Sequence, residues 1–63
     1  MPRFVRFTDA EVQGRAIYVN PDYVKAVFLD ESGCTTIEIE GRCIFVRSSM
    51  EETIKDLSNI PRP

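Results

Sequence analysis

The run from Thr35 to Leu57 constrains the fold more than any other part of the chain. Strict two-residue alternation is followed there by a turn signal, an apolar run and a helix start. Thr35-Thr36-Ile37-Glu38-Ile39-Glu40 puts Ile37 and Ile39 on one face of a sheet and Glu38 and Glu40 on the other. Gly41 takes a positive φ without steric cost, so Glu40-Gly41 reads as a two-residue hairpin turn, in a register that sets Ile37 opposite Ile44. The return strand is apolar over Cys43-Ile44-Phe45-Val46 and has something to bury on both faces. Ser49 with Glu52 three residues later is a capping box. The helix it opens carries Met50, Ile54 and Leu57 as one apolar stripe, expected to lie on the sheet, and Pro61 and Pro63 stop its continuation.

Upstream, Met1 and Pro2 read as a free end, and Arg3-Phe4-Val5-Arg6-Phe7-Thr8 as a first strand with Val5 and Phe7 on one side. The stretch 9–15 is polar and reads as a loop or a widened hairpin connection. A second strand, Ala16-Ile17-Tyr18-Val19, runs into Asn20-Pro21-Asp22-Tyr23. There Asn20 can cap, Pro21 presets φ and Asp22 can bond its own backbone. Val24 to Leu29 is a third strand with apolar residues on both faces and Lys25 as its one obligately polar member. Asp30-Glu31-Ser32-Gly33 then turns the chain into the central hairpin. The expectation is a single domain over 1–63, with strands at about 3–8, 16–20, 24–29, 35–40 and 42–47 and a helix at about 49–58. Its fold class is α+β. Consecutive antiparallel pairing gives a five-stranded, mainly antiparallel twisted sheet or a partly open small barrel, with one C-terminal helix packed on it.

Sixty-three residues can bury only about 60 per cent of their unfolded surface, so the core is thin. Three segments offer apolar or aromatic side chains to both sides of the sheet while one short helix is available to cover it. A homo-oligomer, most simply a two-fold dimer, is therefore expected. Cys34 and Cys43 would not face each other in a hairpin turning at Glu40-Gly41 and no secretory leader is evident, which favours reduced thiols and a cytoplasmic location. No apolar run reaches the roughly 20 residues of a membrane helix.

Catalytic chemistry lacks its parts. There is no histidine to serve Ser48, Ser49 or either cysteine as a base, and nothing in the sequence buries Glu38 and Glu40 to raise a carboxyl pKa. Two cysteines without histidine do not make a structural zinc site, and no cofactor is expected. The chain is thus expected to be no enzyme. The net charge of −2 argues against general affinity for nucleic acid but leaves room for a local basic patch. Arg3, Arg6, Tyr18, Arg42, Phe45 and Arg47 are the candidate interaction surface. With Phe4 and Tyr23 they would give the rings and cations that single-stranded nucleic acid needs. The alternative is that the arginines guard sheet edges while the aromatics sit in the core.

From Phe4 to Leu57 the layout resembles the FlbD/SwrD small proteins of flagellar and swarming operons. The residues that carry the likeness are Phe4-Val5-Arg6-Phe7, then Ile17-Tyr18-Val19-Asn20-Pro21-Asp22, then Val24 and Val27. The hairpin turning at Gly41 and the Ser49-capped helix complete it. The stretch 9–15 is longer than that family's tight first turn. The resemblance implies a motility-related role; the expected function is that of a small accessory or regulatory protein acting through an unidentified protein partner. The hairpin-plus-helix half is also similar to the end of LytTR-type DNA-binding domains, which implies the competing role of a nucleic-acid-binding regulator.

Overall fold

The computed structural model describes residues 3–58, so Met1, Pro2, Pro61 and Pro63 lie outside the described residues. Five strands and one helix follow in the order β1 (Val5–Thr8), β2 (Ala16–Val19), β3 (Val24–Leu29), β4 (Thr35–Ile39), β5 (Arg42–Val46) and α1 (Met50–Ser58). A 3-10 turn, Pro21–Tyr23, leads into β3. Its cap is Asn20, whose side chain accepts the Asp22 N–H at 2.9 Å while Pro21 supplies the preset φ.

The strands do not form one five-stranded sheet. They form an antiparallel pair, β1-β2, and an antiparallel three-stranded sheet, β3-β4-β5. The expected consecutive pairing breaks between β2 and β3, where the Asn20-Pro21 turn redirects the chain instead of folding it back as a hairpin. The sheets meet elsewhere, at a bridge between Asp9 and Val46. Two hydrogen bonds extend this seam: Ala10 N–H to Phe45 O at 2.9 Å and Arg47 N–H to Thr8 O at 3.0 Å.

Inside β3-β4-β5 the register follows the hairpin turn. Gly41 has φ 77°, Ile39 pairs with Arg42, and Ile37 lies opposite Ile44. A bulge between Val24 and Ala26 leaves Lys25 as an extra residue and shifts the pairing with β4. The inner faces of both sheets close on a common core of Phe7, Val19, Ile37 and Val46, with Val5, Ile17, Val24, Ile39, Ile44 and Leu57 packed around it.

The helix sits differently from the expected stripe. Ile54 is 48% exposed, whereas Thr53 is completely buried and Leu57 packs on the core. The buried ridge is therefore Thr53 with Leu57, one residue round from Ile54. Thr53 Oγ1 has no hydrogen-bond partner among the described residues. The rotation follows from α1 packing beside β3, where Ile54 and Leu57 form the wall of a groove with Val24 and Val27.

The helix start is the capping box. Glu52 N–H donates to Ser49 Oγ at 3.1 Å, and Ser49 N–H donates to Glu52 Oε1 at 3.4 Å. Replacing Ser49 by Ala removes the acceptor for Glu52 N–H, and we expect it to lower stability by about 1 kcal/mol. Urea denaturation checks this: a lower midpoint at unchanged slope is expected, and coincident midpoints would place the helix start elsewhere.

Candidate interaction surface

The inner side of the β1-β2 hairpin is fixed by Phe7 and Val19, both buried, so the period of two sends the neighbouring side chains outward. Arg6 and Tyr18 are direct cross-strand partners on that outer side, with Phe4 just before β1 continuing it. Phe4 is 58% exposed and Tyr18 62%. Arg3, also exposed, precedes this row.

The six candidate residues are not all brought together. Tyr18, Arg42 and Phe45 line one groove of about 510 Å³, together with Arg15, Glu11 and an apolar floor of Ile17, Ile39 and Ile44. Arg6 does not line this groove and is linked to it by its strand pairing with Tyr18. Arg47 belongs to the seam: its backbone N–H binds Thr8 O and its Nε donates to Asp9 O at 3.4 Å. Tyr23, named with the aromatics, is exposed in the 3-10 turn.

The groove ends on a group that sequence reasoning placed in a polar loop. Asp9 is 1% exposed. Its Oδ1 accepts Glu11 N–H at 2.8 Å, and its Oδ2 accepts Arg15 Nε at 2.6 Å and forms an ion pair with the second arm of the same guanidinium. Asp9 N–H also donates to Arg15 O at 2.9 Å, so the 9–15 connection is clasped by both backbone and side chain. The signal was present: Val5, Phe7 and Asp9 share one period-two face, which carries Asp9 inward. Arg15, six residues on, is the cation that makes the burial tolerable.

The Glu11 N–H holds the Asp9 carboxyl below its usual pKa; burial opposes the shift, and Arg15 reinforces it. Asp30 is also lowered, first by the Ser32 hydroxyl at 2.7 Å and then by Cys34 N–H at 2.9 Å, which together tie the turn before β4. Both cysteines are free; Cys34 is half-buried and Cys43 exposed. Among the described residues no group of three or more His, Cys, Asp or Glu side chains could hold a metal ion, and no helix is long and apolar enough to cross a membrane.

No family model, curated protein or solved structure matches the chain.

The depressed carboxyl of Asp9 gives a pH prediction. A group whose folded pKa lies below its unfolded value contributes stability that is fully present above the unfolded pKa, near 4, and is lost as pH falls through the folded one. Asp30 acts in the same window, so the share of Asp9 is read from the difference between the parent and Asp9→Asn. We expect the parent to lose stability below about pH 4 and Asp9→Asn to be less stable at neutral pH with a flatter acid limb. Parallel urea titrations at pH 7 and pH 3 measure this. Equal slopes of stability against pH in parent and Asp9→Asn would mean that the carboxylate is not held as described.

Proposed function

We propose that the chain is a non-enzymatic accessory or regulatory protein that works by protein–protein contact and self-associates, most simply as a dimer. One observation carries this reading: a hairpin anchored through Phe7 and Val19 holds Phe4, Arg6 and Tyr18 out to solvent on its other side. Large rings and arginine on a preordered backbone are the side chains that dominate protein interfaces, because they contribute much contact area for little lost freedom. The free state of Cys34 and Cys43 supports a reducing, cytoplasmic setting. The resemblance to the FlbD/SwrD proteins supports a motility-related role with a protein partner.

The competing reading is a nucleic-acid-binding regulator. It draws on the groove where Tyr18, Phe45, Arg42 and Arg15 converge, a combination of rings and cations suited to single strands. Against it, Glu11 lines the same groove, Arg15 is committed to Asp9, and the net charge is −2. Fluorescence anisotropy with labelled single-stranded and duplex oligonucleotides, at about 50 and 200 mM salt, decides between them. No binding at either salt is expected. Binding at low salt that collapses at the higher would replace the protein-contact reading with the nucleic-acid one.

A further inference from the structure

The outer faces of the two sheets are alike in apolar character and opposite in charge. On the hairpin the outer row is Phe4, Arg6 and Tyr18, with Arg6 paired across to Tyr18. On the three-stranded sheet, strand pairing sets two outer rows, Ala26–Glu38–Cys43 and Phe28–Thr36–Phe45. In the second row Thr36, which the register sets between Phe28 and Phe45, is buried, while Phe28 remains 38% exposed. Glu38 is the charged member of these rows. Its cross-strand neighbours, Ala26 and Cys43, offer no cation, and Lys25, at the adjacent bulge, forms no ion pair with it. Among the described residues the side chains of Arg6 and Glu38 make no hydrogen bond or ion pair.

We propose that a second copy of this chain occupies these faces, the Phe4–Arg6–Tyr18 face of one copy docking on the Phe28–Glu38–Phe45 face of the next with Arg6 against Glu38. Charge complementarity selects this arrangement. Two hairpin faces laid together would oppose Arg6 to Arg6, and two three-stranded faces would oppose Glu38 to Glu38; only the mixed contact gives each charge a partner as the surrounding rings lose water. The contact joins two different patches, so every copy carries both halves of it. The inference rests on the reading that the chain acts through protein contacts and self-associates, and it names the surfaces that do so.

Sedimentation equilibrium of the full chain from micromolar to millimolar concentration, with R6E and E38R alone and mixed, tests the proposal. The parent should associate reversibly, more weakly as salt rises. Each charge-reversed variant alone should associate at least about ten-fold more weakly, since every contact then opposes like charges. The equimolar mixture should recover association, because Glu at position 6 meets Arg at position 38 and the native pair is kept at the other contact. Circular dichroism confirms that each variant is folded. Should a reversal prevent folding, Arg6→Gln and Glu38→Gln carry the test, and each is expected to weaken association and remove its salt dependence. An associating parent whose charge-reversed variants associate as strongly, or whose mixture recovers nothing, would overturn this pairing and leave self-association standing. A parent that stays at monomer mass throughout would overturn self-association as well.

Discussion

A chain this short has to bring two small sheets onto one core, and it does so at Asp9. The backbone of Asp9 bridges to Val46, and the bonds of Ala10 and Arg47 on either side lengthen that bridge into a seam between β1 and β5. Its carboxylate, turned inward by the strand period, would be a costly buried charge if unpartnered. Glu11 N–H and the Arg15 guanidinium supply the partners, and in doing so they close the 9–15 connection. The core then assembles from both sheets at once: Phe7 and Val19 from the hairpin, Ile37 and Val46 from the three-stranded sheet.

What the sequence made legible was local. The alternation of β4, the positive φ of Gly41 and the capping pair Ser49 and Glu52 each depend on neighbours a few residues away, and each is found in the structure. The division into two sheets was not legible, because it depends on contacts between distant segments; the Asp9–Val46 bridge joins residues 37 positions apart in the sequence. The helix face shows the same limit. Met50, Ile54 and Leu57 make an apolar stripe by composition, but packing beside β3 selects the ridge through Thr53 and leaves Ile54 half in solvent. Of the six candidate surface residues, the sequence could name the types but not the grouping. Strand register joins Arg6 to Tyr18, the groove joins Tyr18 to Arg42 and Phe45, and the seam takes Arg47.

With the inner faces committed to one core, the outer faces carry the remaining chemistry. Both sheets are short, and both expose rings on the side away from the core: Phe4 and Tyr18 on one, Phe28 on the other. Small domains bury proportionally less of their surface, and the contacts between copies proposed above would add stability that a thin core does not supply. The same economy explains why the buried carboxylate is placed at the seam. There it accepts from a backbone N–H and from a guanidinium, which together partner the buried charge.

The central claim is that the Asp9 seam makes the two sheets one cooperative unit. Native-state amide hydrogen exchange reads it directly at Ala10 and Arg47, whose N–H groups cross the seam to Phe45 and Thr8. We predict that both amides exchange only through global unfolding, with the same denaturant dependence as the amides of Ile37 and Ile44 inside the three-stranded sheet. Exchange of Ala10 and Arg47 at the rate of open loops, while Ile37 and Ile44 stay protected, would mean that the hairpin detaches independently and would contradict the account.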